Sequence, residues 1–261
     1  MEVCTAFEEE NRTYWTKRAP SYSWVNQDEL QTRQHDVWSH VLTARIDAFY
    51  PDKQRQDIHV LDIGTGPGFF AILLAEQGYA VTAMDYTESM LQEAKRNANA
   101  LRDRIVFQRM NAERLSFAAN SFDAIVTRNV TWNLPHPQTA YREWQRVLKP
   151  GGLLLNFDAN WYRYLYDEAA RQGYLADRKE IQRNGVANET DGTDIPAMEA
   201  IARQVPLSLA MRPQWDADVL TALGMKVTAD TKIWQTVWTR TERINNASTP
   251  MFCIQAVKAA R

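Results

Sequence analysis

The chain has 261 residues, 45% of them hydrophobic and 24% charged, enough apolar material for one sizeable core with an appended cap. Thirty basic against 32 acidic residues leave a formal charge of -2, which excludes a general electrostatic pull toward nucleic acid or anionic membranes. Cys4 and Cys253 are too distant in sequence to argue a disulfide framework or a thiolate metal site, so no metal is expected. The first residues lack the basic and apolar regions of a signal peptide, and no run reaches the roughly 20 apolar residues of a membrane span; a cytoplasmic protein with no membrane partner is expected.

From Asp28 to Phe49, Leu30, Val37, Val41, Ile46 and Phe49 recur at roughly helical spacing, predicting an amphipathic helix against a sheet. The runs IHVLDIG, YAVTAMD, RIVFQRM, FDAIVTR and GLLLNFD have the length and β-branched character of buried strands. Helix-like segments lie between them, Phe69 to Gln77, Glu88 to Leu101 and Thr139 to Leu148. This βαβ rhythm predicts an α/β fold, a Rossmann-like, doubly wound and mostly parallel sheet of seven strands, because parallel strands need crossovers that cover the faces. Residues Gln172 to Pro213 are polar and broken by glycine and proline, with one short helical signal in PAMEAIARQV, and read as an inserted cap. A short helix, DADVLTALGM, and two β-rich runs, Lys226 to Thr239 and Met251 to Val257, close the chain as an antiparallel edge pair.

VLDIGTGPGFF, residues 60–70, places three glycines at Gly64, Gly66 and Gly68, with Phe69 where a dinucleotide fingerprint has its third glycine. A turn without side chains lets a ligand approach the backbone, and Asp62 can face a cation or accept a hydrogen bond beside it. Asp85 ends the next strand, where a carboxylate can receive both hydroxyls of a ribose. Asp62, Asp85, Asn111 and Arg128 all fall at predicted strand ends, the edge where such sheets bind ligands.

With VLDIGTGPG, YTESMLQEAKRNA after Asp85, NAERLSF, SFDAIVTRNVTWNL and LKPGG in register, the chain resembles the class I S-adenosylmethionine-dependent methyltransferases, in their small-molecule branch, from about Val60 to Asp158. The resemblance implies that Gly64, Gly66 and Gly68 pass beside the amino-acid end of S-adenosylmethionine and Asp85 holds the ribose. It further implies Tyr86 and Met90 near the adenine, Asn111, Ala112 and Glu113 on its edge and face, and Arg128 and Asn129 beside the methionine moiety and methyl group. Asn111 stands where the family often has Asp, so the acceptor role toward the adenine amine passes to the Asn carbonyl or to the backbone. YWTKRAPSYSW is similar to the W-x-x-R-A-x-x-Y lead-in of many relatives, which implies that Tyr22 folds over the cofactor. A single domain is expected: a lid over residues 1–50, a cofactor-binding core over 58–158, a substrate cap over 160–213, and a final helix and edge strands over 214–261.

The implied reaction moves a methyl group by in-line displacement to an N, O or S atom of a small molecule, leaving S-adenosylhomocysteine. Alignment alone supplies much of such a rate, roughly 7–11 kcal/mol in well-oriented intramolecular reactions. The reaction needs no dedicated catalytic residue, but for an ammonium or hydroxyl nucleophile a general base helps and must lie near the ends of the fourth and fifth strands; His136, Asp158 and Tyr162 are the candidates, although His136 can equally serve its loop and Asp158 can cap a helix. Trp15, Trp132, Trp161 and Tyr162 are the aromatic candidates for holding an acceptor. Arg163, Arg178, Arg183 and Arg203 can meet a substrate carboxylate or simply face solvent. The strand-four ending TRNVTWNLP lacks the Asn/Asp-Pro-Pro-aromatic pattern of enzymes that methylate base amines, so no nucleic-acid partner is expected. A protein methyltransferase and a noncatalytic cofactor-binding subunit stay open, as does the oligomeric state.

Overall fold

The computed structural model describes residues 5–260; Cys4 lies outside the described residues. Two helices, α1 (Ala6–Gln31) and α2 (Arg33–Asp47), replace the single one expected from Asp28 to Phe49. Thr5 opens α1 with a capping box, its hydroxyl accepting the Glu8 N–H while the Glu8 carboxylate accepts its own N–H. Extended backbone at Thr32 separates the helices.

Strands and helices then alternate: β1 (His59–Ile63), α3 (Phe69–Glu76), β2 (Ala80–Asp85), α4 (Glu88–Asn97), β3 (Ile105–Arg109), β4 (Phe122–Arg128), α5 (Pro137–Val147) and β5 (Leu148–Asp158). The cap region holds α6 (Glu168–Asn184) and α7 (Ile195–Ala202), and the chain ends with α8 (Gln214–Ala222), β6 (Met225–Asp230), α9 (Trp234–Val237), α10 (Arg240–Asn245) and β7 (Phe252–Lys258). Helix α6 was not legible in the polar stretch after Gln172. It starts on Asp167, whose carboxylate accepts the Ala170 N–H at 2.9 Å, and stops at Gly185 in the left-handed region. The run after Lys226 leaves the sheet at Asp230, and α9 and α10 replace the expected turn before β7.

The seven strands lie in the order β3-β2-β1-β4-β5-β7-β6. The first five are parallel, and β7 is antiparallel to β5 and β6. Alternation along β1 splits the core into two layers: Val60 packs with Trp38 of α2 and Phe70 of α3, while Leu61 and Ile63 pack with Trp144 of α5 and Leu220 of α8. Strand order reverses between β1 and β4, so a crevice opens at the carboxyl ends of those strands.

Candidate functional site

The glycine turn leaves β1 at that crevice. Gly64 has φ +66°, and a Cβ there would stand 2.3 Å from Val130 Cγ2, so no other residue fits. The Gly66 N–H donates to Asp85 Oδ2 at 3.0 Å, and Tyr22 lies across the turn, its Cε1 3.6 Å from where a Gly66 Cβ would stand. Gly68 corrects the expectation. At φ +98° it starts α3, and a Cβ would come 3.0 Å from Ala94 Cβ; it lets α3 pack against α4 and does not border the cavity.

Two carboxyls flank the turn. Asp62 is 2% exposed and accepts the Thr65 hydroxyl at 2.6 Å; burial pushes its carboxyl up to about 7. Asp85 Oδ1 accepts the Thr87 N–H at 2.9 Å and the Thr87 hydroxyl at 3.0 Å, while burial raises its carboxyl above the usual range. A carboxylate oriented this way at the end of β2 keeps lone pairs for a diol. Asn111 spends its side-chain carbonyl on the Glu113 N–H at 2.8 Å and its amide on Glu8 of α1 at 3.3 Å, so the backbone is the better acceptor toward a ligand.

A cavity of 410 Å³ runs from this turn under α1 and the cap. It is bordered by Asp62, Gly64, Gly66, Asp85, Tyr86 and Met90 and, at the next strand ends, by Asn111, Ala112, Glu113, Arg128 and Asn129. Tyr22, Trp15, Trp132, Trp161 and Tyr162 border it from the lid and cap sides. The Arg128 guanidinium is already committed: it pairs with both oxygens of Glu29 in α1 at 2.7 and 2.9 Å and lies 4.5 Å over the Phe69 ring, tying the lid to β4. Asn129 turns the chain at φ +58°, and its side-chain Oδ1, like that of Asn133, is buried with no partner among the described residues.

Two of the three candidate bases are not at the cavity. His136 is exposed at the start of α5, where its backbone N–H donates to Glu113 Oε1 at 2.6 Å. Asp158 is fully buried: Oδ2 accepts from Arg212 at 2.8 Å and from the Trp132 N–H at 3.0 Å, and Oδ1 accepts from the Ala159 N–H at 2.9 Å and the Trp161 indole at 3.1 Å. Arg212 also grips Asp216 through two 2.8 Å contacts, and Asp216 accepts the Tyr141 hydroxyl. Asp158 therefore neither takes a substrate proton nor caps the expected helix; it anchors two tryptophans of the cavity wall. Tyr162 does line the cavity, and burial raises its hydroxyl above the usual phenol range.

The end of the cavity beneath α6 and α7 is aromatic. Trp132 and Tyr162 rings are 4.9 Å apart, and Tyr164 stacks on Tyr174 at 4.2 Å and 10°. Three polar residues border the cavity there: Arg178, raised by the sequence as able to meet a substrate carboxylate, and Arg18 and Glu189, which the sequence did not single out. Arg18 lies inside the lead-in motif, donates to the hydroxyls of Ser21 at 2.6 Å and Thr193 at 3.1 Å, and stands 5.8 Å from the centre of the Tyr22 ring. Arg178 reaches the Asn188 side chain at 3.0 Å and the Asn245 carbonyl at 2.5 Å, and its neighbour across the cavity wall, Glu189, had no signal because the loop carrying it resembles any polar linker. Of the other cap arginines, Arg163 pairs with Asp167 and Arg203 with Glu199, and Arg183 is exposed.

Residues 61–156 match a family model described as a methyltransferase domain. The ubiquinone biosynthesis O-methyltransferase of Coxiella burnetii is 34% identical over 110 residues, 41% of this chain and 47% of that protein. The ubiquinone/menaquinone biosynthesis C-methyltransferase UbiE of Bartonella tribocorum is 36% identical over 159 residues, 57% of this chain and 59% of that one. The chain thus spans about half the length of the curated relatives it matches. The solved structure of the plantazolicin methyltransferase BpumL, in complex with an analogue and S-adenosylhomocysteine, superposes with a TM-score of 0.60 over 98% of this chain and 100% of that one, at 13% identity, a likeness of fold alone. The matched segment carries the glycine turn, Asp85, Asn111 to Glu113 and Arg128, and over it the chain is similar to the class I S-adenosylmethionine-dependent methyltransferases.

Proposed function

We propose that this protein transfers a methyl group from S-adenosylmethionine to a small-molecule acceptor. The observation that carries the reading is the continuity of one cavity from the Gly64–Gly66 turn and Asp85 to an aromatic chamber under the cap. The buried Oδ1 of Asn129 and the side-chain-free turn at Gly64 are features that a bound adenosyl-methionine would satisfy. Asp85 would take the ribose hydroxyls, the Asn111–Glu113 segment the adenine, and the Arg18 guanidinium, without a carboxylate partner among the described residues, the methionine carboxylate. When bound, the sulfonium supplies an electrophilic methyl group. Tyr22 and α1 exclude water from above the turn, and the Trp132, Trp161 and Tyr162 wall orients a flat acceptor.

Enclosure by the cap supports a small molecule over a protein chain as acceptor. Relatives named as O- and as C-methyltransferases both match, so the acceptor atom rests on residues of this chain and not on the family. Incubation with methyl-tritiated S-adenosylmethionine and a low-mass cell extract tests the proposal. Label in extractable small products is expected; label only in protein, or none, contradicts it.

A further inference from the structure

At the cap end of the cavity stands a carboxylate that cofactor binding does not use. Glu189 lies in the loop between α6 and α7, and one buried amide fastens that loop to α10. Asn245, 1% exposed, donates to the Ala187 carbonyl at 2.9 Å and accepts the Glu189 N–H at 3.0 Å. The next residue, Asn246, donates to Glu189 Oε2 at 2.8 Å. Oε1 has no hydrogen-bond partner among the described residues, and the side chain borders the cavity and is open to solvent there. The backbone is clamped on both sides of Glu189 and one oxygen is fixed, which leaves the other for a ligand.

The charges facing it come from three elements: Arg178 of α6, Glu242 of α10 and Glu29 of α1. Glu29 is the partner of Arg128, so Glu189 hangs on the side of the cavity where β4 ends. Partial desolvation, with the nearby glutamates, raises its carboxyl to about 7, within the range a general base uses, while the residue stays open to solvent and so to a ligand. Arg178 borders the same space and meets Asn188 and the Asn245 carbonyl, with no carboxylate within 4.0 Å among the described residues, which disfavours a cationic amine. The stacked tyrosines favour a flat ring.

Resting on the methyltransferase reading above, we infer that the acceptor is a hydroxylated planar ring and that Glu189 Oε1 receives the proton of its attacking hydroxyl. Glu189 takes that proton as the oxygen's electron pair forms the new C–O bond to the methyl carbon; the C–S bond breaks with its pair left on sulfur. The sulfonium charge and the carboxylate charge vanish together, leaving a thioether, an ether and a carboxylic acid.

Calorimetry on protein saturated with S-adenosylhomocysteine tests this without turnover, using 2-naphthol and 2-methoxynaphthalene, which share a ring but not the hydroxyl. At pH 8.5 the wild type should bind 2-naphthol roughly tenfold or more tighter than the ether, the worth of a hydrogen bond to a charged acceptor, and the preference should shrink at pH 6. Glu189→Ala should abolish it, and Glu189→Gln should leave a small preference that no longer follows pH, both with unchanged affinity for S-adenosylhomocysteine. Equal binding of the two probes, no binding of either, or an undiminished preference in Glu189→Ala overturns the inference. Failure of the wild type to take S-adenosylhomocysteine overturns the underlying reading instead.

Discussion

Replacing Arg212 with methionine keeps much of the side chain's bulk and deletes the cation between two fully buried carboxylates, Asp158 and Asp216. Removing one partner of a buried pair costs about 3–5 kcal/mol, because the remaining charge loses its compensation. Here three contacts of 2.8 Å vanish together and two acids are stranded, which places the expected loss at the upper end, about 5 kcal/mol at pH 8. The pH dependence has a definite sign. Without the cation, burial holds the Asp158 carboxyl above its unfolded range, so the folded state gains a proton as pH falls and part of the stability returns. Urea unfolding followed by tryptophan fluorescence at pH 8 and pH 5.5 measures both effects. The combined variant Asp158→Asn, Arg212→Met, Asp216→Asn should recover most of the loss, since no buried charge is left unpaired. A loss under about 1 kcal/mol in Arg212→Met, or an equal loss at both pH values, refutes the assignment of Asp158 as an anchor within a buried ionic network.

Asp85→Asn keeps the acceptor needed by Thr87 but sets its amide against the Gly66 N–H and removes the charge, so S-adenosylhomocysteine affinity should fall roughly tenfold to a hundredfold beside a stability loss of about 1–3 kcal/mol; unchanged calorimetric affinity contradicts the ribose role. Gly68→Ala should lower stability by about 2 kcal/mol, from its left-handed backbone and the contact with Ala94, while the folded fraction binds S-adenosylhomocysteine normally; a selective loss of binding contradicts its packing role. His136→Ala, at an exposed side chain, should change stability by no more than about 0.5 kcal/mol and leave S-adenosylhomocysteine binding unaltered in the same titration. Asp62 has a folded pKa raised from 3.8 to about 7, so the stability it contributes is present at low pH and is lost as pH rises from about 4 to 7; unfolding curves of Asp62→Asn should show less decline between about pH 4.5 and 7 than those of the wild type.

Strands were the most legible part of the chain, since runs such as FDAIVTR are buried on both faces and carry the signal within a few consecutive residues. Helix α6 was not, because only Asp177 and Ile181 of its 17 residues are buried and its polar surface has no clear stripe. The turn and Asp85 could be placed because their geometry is local. Asp158 could not, because its meaning comes from Arg212, 54 residues downstream. Nor could the roles of the three glycines be separated: Gly64 and Gly68 read alike, and only the positions of Val130 and Ala94 distinguish them. Glu189 is the extreme case, a carboxylate whose setting is built by two asparagines more than fifty residues away.

Calorimetric titration of the wild-type protein with S-adenosylhomocysteine, with NAD as the control, bears most directly on the central claim. Saturable one-to-one binding of S-adenosylhomocysteine and no heat from NAD is the predicted result. Binding of NAD, or of neither compound, would contradict it.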